Sequence, residues 1–257
     1  MDNPLQTILN DKQALRKKLA AKPIAEKLWM LERLSERTLS LRPDSSVTAP
    51  DAPWSIPSGW MWRRMGDVAT IIGGSTPRTD RPEYFAGNIP WITPADLSKH
   101  TDKTISYGAH NISEEGLANS GARLLPAGAV LFSTRAPIGC VAIASTPLAT
   151  NQGVKGFVLN DDVMADYAFY YLQHARQLAV QMVSGTTFRE LSGKKTAQIP
   201  IPVPPLPEQL RIVAEIEQQL SPLEEGVAVR KYERPNLQRA THLRQSILQR
   251  AFEGELV

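Results

Sequence analysis

Hydrophobic residues recur at helical spacing at both ends of this chain but not in its middle, and that division limits the architecture more than any single residue does. From 5 to 41, Leu5, Ile8, Leu9, Leu15 and Leu19 fit one helical face, and Ile24, Leu28, Leu31 and Leu34 fit another; Pro23 sits in the first turn of the second helix. From 207 to 252 the spacing returns in Leu210, Val213, Ile216, Leu220, Leu223 and Val227, then in Leu237, Ala240, Leu243, Ile247 and Ala251. A repeat near 3.5 residues predicts a coiled-coil-like element that starts at Pro207–Glu208, is interrupted near Pro222 and Pro235, and stops at Gly254. Each apolar stripe needs a partner surface, and a single chain can supply it by pairing its two ends in antiparallel fashion.

The middle reads differently. Residues 42–59 are rich in proline and small polar residues and predict a linker. Over 60–203, glycine, proline and β-branched residues become frequent. Trp60–Met65, Ala129–Thr134, Cys140–Ala144, Val154–Leu159 and Ile199–Val203 read as strands, and Val163–Met182 as a helix. The fold class is therefore α+β: one mixed α/β globule flanked by long N- and C-terminal helices that form an antiparallel coiled-coil-like stem. Trp54, Trp60, Trp62 and Trp91 are read as packing residues.

Hydrophobic residues make up 42% of the chain, enough for a core and too many for a disordered polymer. Net charge is +3 with a pI near 9.0. Residues 1–50 carry nine basic and six acidic groups, 51–200 thirteen and twelve, 201–257 seven and eight. No segment has the basic excess of a histone-like binder, so affinity for nucleic acid has to come from local placement or from a partner. The lone Cys140 excludes an internal disulfide and any zinc site needing two thiolates; its apolar neighbours predict a buried small hydrophobe. With no apolar run of membrane length and no secretory leader, a cytoplasmic location is expected.

Catalytic motifs are missing. There is no GxGxxG or Walker A loop, no Asn/Asp-Pro-Pro-Tyr/Phe tetrapeptide of amino-methyltransferases, and no acidic-x-Lys pair of the common Mg²⁺ nuclease core. His100, His110, His174 and His242 lack metal-ligand spacing, Ser133 is not in a nucleophile elbow, and Asp161–Asp162 reads as a loop pair before a helix. No residue is assigned to catalysis or to a metal. The chain reads as a binder.

Several local signatures then fall in order: Gly66-Asp67-Val68, Gly73-Gly74-Ser75-Thr76-Pro77, Tyr84 to Ile92, Asp96-Leu97, Ser133 to Gly139, Thr150 to Gly153, Gly185-Thr186-Thr187, Ile201 to Gln209, Leu243 to Leu248, and the ending Ala251 to Val257. Together they resemble the DNA specificity subunit of type I restriction–modification systems, over about residues 24–257. The Ile-Pro-Val-Pro-Pro-Leu-Pro-Glu-Gln junction and the Ala-Phe-Glu-Gly-Glu-Leu-Val ending carry most of the resemblance.

The resemblance implies a non-catalytic subunit with an N-terminal helical region (1–42), a linker (43–59), a DNA-binding target recognition domain (60–206) and a conserved C-terminal helical region (207–257). It also implies double-stranded DNA and a methyltransferase subunit as partners, with a restriction/translocase subunit as a further one. S-adenosylmethionine would sit on the methyltransferase, and no cofactor is expected on this chain. Family subunits usually carry two recognition domains and this chain carries one. It therefore reads as a half subunit, either a half-length protein or the C-terminal half of a longer one. Met1 and the complete helix–globule–helix order favour the former. A head-to-tail homodimer through the helices would read an interrupted palindrome.

Candidate DNA contacts are Arg78, Arg81, Lys99, Arg135, Asn151, Gln152, Lys155, Thr186, Thr187, Arg189, Lys194 and Lys195, with Lys103 beside His100 as a further basic group. Arginine can grip guanine bidentately and Asn or Gln adenine, while lysines suit phosphates. Asn151 and Gln152 belong to the shared pattern and are read as structural or backbone-contacting. Helix positions assigned to partner or dimer contacts are Leu28, Leu31, Leu210, Val213, Ile216, Leu220, Leu243 and Ile247. The competing readings are an adaptor or decoy that docks on a methyltransferase without reading DNA, a standalone modifying enzyme, and a purely structural coiled coil.

Overall fold

The computed structural model describes residues 53–183, 190–229 and 234–256, with 222–229 and 234–240 described by backbone alone. The chain divides into units 1–46 and 47–257, and the description that follows is of the second. The helices expected over 5–41, with Leu28 and Leu31, lie outside the described residues.

The elements run β1 (Met61–Arg64), α1 (Met65–Val68), β2 (Ala69–Gly73), a 3-10 turn (Pro82–Phe85), β3 (Ile89–Ile92), α2 (Pro94–Lys99), β4 (Thr104–Ile105), β5 (His110–Ile112) and α3 (Glu114–Ala118). They continue with β6 (Val130–Ser133), β7 (Val141–Ala144), β8 (Ala149–Thr150), β9 (Val154–Leu159), α4 (Ala165–His174), α5 (Arg176–Gln181), α6 (Gly193–Ala197), β10 (Pro200–Val203), α7 (Leu206–Val229) and α8 (Arg234–Glu253). The main sheet has the order β2-β9-β6-β7-β4; a three-stranded sheet has the order β5-β3-β8, and β1 pairs with β10 alone. β6 is the sheet's middle strand, and all four of its residues are buried. A strand covered on both faces reads as an unbroken apolar run, which is how this one was visible in the sequence.

All five predicted strands are present. The predicted helix over Val163–Met182 is instead two helices, α4 and α5, with Ala175 between them. α7 runs through Pro222, where an interruption was expected, and Pro235 falls in the first turn of α8, where proline is tolerated. Cys140 is half-buried rather than buried.

α4 is apolar almost all round, with Tyr167, Ala168, Phe169, Tyr170, Tyr171 and Leu172 buried in succession. One face meets β10. The hydroxyl of Tyr167 donates to Pro202 O at 2.7 Å, and that of Tyr171 donates to Pro200 O. Four helical residues rise about 6 Å and two strand residues about 6.8 Å, so an i, i+4 tyrosine pair matches carbonyls two apart on a strand. Prolines fit at Pro200 and Pro202 because β10 is paired on one side only, with β1. The opposite end of the same motif is fixed by Gln209. Its buried side chain donates to Asp162 O and Pro204 O, both at 2.9 Å, and accepts the N–H of Met164 at 2.9 Å. Trp60 Nε1–H donates to Glu208 Oε1 at 2.9 Å. The proline-rich junction is thus a structural joint between sheet, α4 and α7.

The C-terminal helices close the same core. Ile212, Val213, Ile216 and Leu220 of α7 are buried in one cluster with Ile247, Leu248, Ala251 and Phe252 of α8 and with α4. Val213, Ile216, Leu220 and Ile247 were assigned to partner contacts; the chain instead buries them in itself, and Leu210 is half-buried. Leu243 is 49% exposed. Phe252 packs edge-on against Tyr167 and Tyr171, with ring centroids 5.4 and 5.1 Å away. Gly254, at φ +82°, ends α8: its N–H bonds Ala251 O and that of Glu255 bonds Arg250 O. Trp54 Nε1–H donates to Phe252 O at 3.0 Å, so the end of α8 grips the segment that leads into β1.

Lys103, a candidate DNA lysine, is used differently. Its ammonium pairs with Asp166 of α4 at 2.7 Å and Glu217 of α7 at 2.6 Å. It ties the end of the main sheet to the helices and is not a free phosphate contact. No helix among the described residues is long and apolar enough to cross a membrane.

His174, in the last turn of α4, stacks among Trp54, Tyr171 and Phe252, with ring centroids 5.4 to 6.2 Å away. Its Nδ1 is buried without a hydrogen-bond partner. Burial lowers its pKa, against the pull of Glu253. The unfolded imidazole, near 6.5, therefore takes up its proton before the folded one does. Stability is complete above that value and falls as pH drops through it toward the depressed folded value. Thermal unfolding at pH 7 and pH 5 tests this: His174→Gln should lose less melting temperature over that interval than the wild type. An equal loss would contradict it.

Candidate nucleic-acid interface

Three loops meet at the end of the main sheet where β2 runs out and β9 begins. Gly73 lies opposite Lys155 in the β2–β9 register, so the turn leaving β2 falls on the turn between β8 and β9. Ser75 N–H donates to Thr150 O at 3.0 Å, and Thr76 Oγ1 donates to Gln152 Oε1 at 2.6 Å. Trp91, buried in β3, donates its indole N–H to Ser75 O at 3.0 Å. Gly74 is required here because a Cβ would sit 2.2 Å from Asn151 O and 2.3 Å from Thr150 O. Gly74→Ala is expected to cost about 1–3 kcal/mol through forced displacement of these backbones. Urea unfolding measures it, and a wild-type midpoint would show that the two turns separate freely.

The third loop follows β6. Thr134 N–H donates to Gly153 O at 2.8 Å, and Leu191 N–H donates to Thr134 O at 2.9 Å. Glu190–Leu191 therefore runs beside Thr134–Arg135, with Arg135 and Glu190 as a bridge pair. Across that bridge the Arg135 guanidinium meets the Glu190 carboxylate at 2.9 Å. Ser133 fixes the shape of the loop, donating Oγ–H to Pro137 O at 2.6 Å and accepting the N–H of Cys140 at 2.8 Å.

Lys155 stands at the centre of this junction, half-buried, with Nζ donating to Gln152 O at 3.0 Å. Burial pushes its pKa down; Glu190 opposes the shift and the Arg135 charge adds to it. Two cations and one carboxylate thus act on each other within one small site. The Asn151 side chain accepts Gly153 N–H at 2.9 Å and closes its own turn, in keeping with the structural role read from the sequence.

Arg135, Asn151, Gln152 and Lys155 are therefore brought together. Arg78 and Arg81 lie on the stretch that continues from Thr76; each pairs with a nearby carboxylate, Arg78 with Asp80 at 2.6 Å and Arg81 with Glu83 at 3.4 Å. Lys99 is exposed in the last turn of α2. Lys194 is exposed on α6, while Lys195 donates to Met182 O at 2.7 Å. Thr186, Thr187 and Arg189 lie outside the described residues. Two members of the site were not foreseen, Thr76 and Glu190. Thr76 belongs to the Gly73–Pro77 signature, but nothing local marks Glu190, whose partner is 55 positions away. The indole N–H groups of Trp54, Trp60, Trp62 and Trp91 all donate within the chain, which fits packing roles. No metal-holding group of His, Cys, Asp or Glu occurs among the described residues.

The family model of the type I restriction modification DNA specificity domain matches residues 57–227, which contain the whole of this junction. The chain belongs to that family. Among curated specificity-domain relatives, the type I restriction enzyme MjaIX specificity subunit of Methanocaldococcus jannaschii is 40% identical over 160 residues, 61% of this chain and 37% of that protein. The EcoR124I/EcoR124II specificity subunit of Escherichia coli is 28% identical over 160 residues, 59% of this chain and 39% of that protein. The match to these relatives thus spans well under half of their length. The solved HsdS subunit from Thermoanaerobacter tengcongensis shares the fold, with a TM-score of 0.53 at 24% identity over 98% of this chain and 56% of that one. A chain from a type I R-M assembly gives a TM-score of 0.54 at 25% identity, over 99% of this chain and 61% of that one.

Proposed function

We propose that this specificity-domain chain is the non-catalytic, sequence-specific DNA-recognition subunit of a type I restriction–modification complex, reading one half of a bipartite site. The observation that carries the reading is the junction of three loops at the end of the main sheet. There the backbone of Arg135 is bridged to Glu190, Gln152 is tied to Thr76 and Lys155 is bonded to Gln152 O, so the groups are held in place as a base-reading surface needs. Arg135 offers a planar donor fork suited to a guanine edge and Lys155 a cation suited to phosphate, while Gln152 braces the turn through Thr76. Arg78, Arg81, Lys99 and Lys194, elsewhere on the domain, add phosphate contacts.

In this reading the methyltransferase subunit docks on the helices and brings S-adenosylmethionine; a restriction/translocase subunit joins the same assembly. A second copy would meet this one through the helices, where Leu243 is exposed on α8. Mapping methylated bases across the genome, with and without the gene, tests the function. Loss of one bipartite motif on deletion is expected. An unchanged methylome would overturn the reading.

A further inference from the structure

The junction holds one group that a simple anion-binding surface would lack. Glu190 places a carboxylate against Arg135 at 2.9 Å and lies close enough to Lys155 to pull on its charge. This is no loose surface pair. The backbone bridge between Arg135 and Glu190 and the Leu191 N–H bond to Thr134 hold the two residues side by side, independently of the ion pair itself. Both side chains are partly exposed, 44% and 34%, so the pair is open to solvent.

We propose that Glu190 is a specificity-determining residue that acts by occupying Arg135 and repelling phosphate. The inference rests on the DNA-reading function proposed above. Any duplex offers phosphates. To use Arg135, a duplex of arbitrary sequence must displace the carboxylate with a phosphate and leave Glu190 facing the DNA backbone. That exchange gains little, because one anion replaces another and a like charge stays behind. A duplex with the right base beneath the loop offers Arg135 a bidentate groove contact, and Glu190 can accept from an exocyclic amine such as cytosine N4. The carboxylate thus lowers affinity for every sequence and lowers it least for the correct one.

The test is fluorescence anisotropy of the full chain with a 30-bp duplex of mixed sequence, over a salt series. Four variants are compared with the wild type: Glu190→Gln, Arg135→Ala, the double variant, and Glu114→Gln. The last removes the same charge from α3, where Glu114 is exposed. Glu190→Gln is expected to bind the mixed duplex about fivefold tighter, with a steeper salt dependence. Glu114→Gln should move affinity less, and the gain should shrink when Arg135 is also removed, leaving only the part due to repulsion of phosphate. Equal or weaker binding by Glu190→Gln overturns the proposal. So does a gain over Arg135→Ala that is undiminished in the double variant, or one matched by Glu114→Gln. If neither the wild-type chain nor its complex with the methyltransferase subunit binds duplex in a salt-dependent way, even at low salt, the DNA-reading function itself falls and this inference with it.

Discussion

Replacing Phe252 with alanine is expected to cost about 3–5 kcal/mol of folding stability, the range for deleting a fully buried aromatic ring. Phe252 is 0% exposed and touches Tyr167, Tyr171 and His174, while its carbonyl holds the Trp54 indole. The ring fills the space where α4, α8 and the entry to β1 meet, so the lost volume cannot be recovered by shifting one side chain. Because α7 and α8 share that core, the loss should appear as one cooperative transition at lower denaturant rather than as an early melting of α8 alone. Urea unfolding followed by far-ultraviolet dichroism and by tryptophan fluorescence measures both. A midpoint within a few tenths molar of the wild type would contradict the shared core.

Arg135→Ala should produce the largest effect on DNA. In the assembled complex, losing a bidentate guanine contact is worth about 1–3 kcal/mol, or about 5- to 150-fold in affinity for the correct duplex. Mixed-sequence DNA should be affected far less, so the ratio between the two should collapse. Lys194→Ala gives the contrast. An exposed lysine on α6 should weaken all duplexes alike and reduce the slope of log affinity against log salt by about 1. If Arg135→Ala lowered affinity equally for all sequences, the arginine would be a phosphate contact and base reading would lie elsewhere on the domain.

What the sequence made legible follows from how local each signal was. β6, β7 and β9 were visible because they are short apolar or β-branched runs bounded by turns, and α7 because its stripe keeps helical spacing past Pro222. β4, β5 and β8 were not, since two or three residues carry no periodicity and their pairing is decided by distant strands, β4 by β7 and β8 by β3. The destination of the helical stripe was also out of reach. Periodicity shows that Val213, Ile216, Leu220 and Ile247 must be covered, but not whether α4 or another chain covers them. For the site, Arg135, Gln152 and Lys155 could be named as residue types in turn-rich stretches, while their meeting depends on the β2–β9 register. Lys103 misled because a lysine in a polar loop looks the same whether it faces solvent or two carboxylates more than sixty positions away.

Footprinting of the purified chain with its methyltransferase partner on duplex DNA examines the main claim most directly. Protection confined to specific half-sites, lost when Arg135 and Lys155 are both replaced by alanine, is the predicted result. Protection of no defined stretch, or a footprint unchanged by that double replacement, would contradict it.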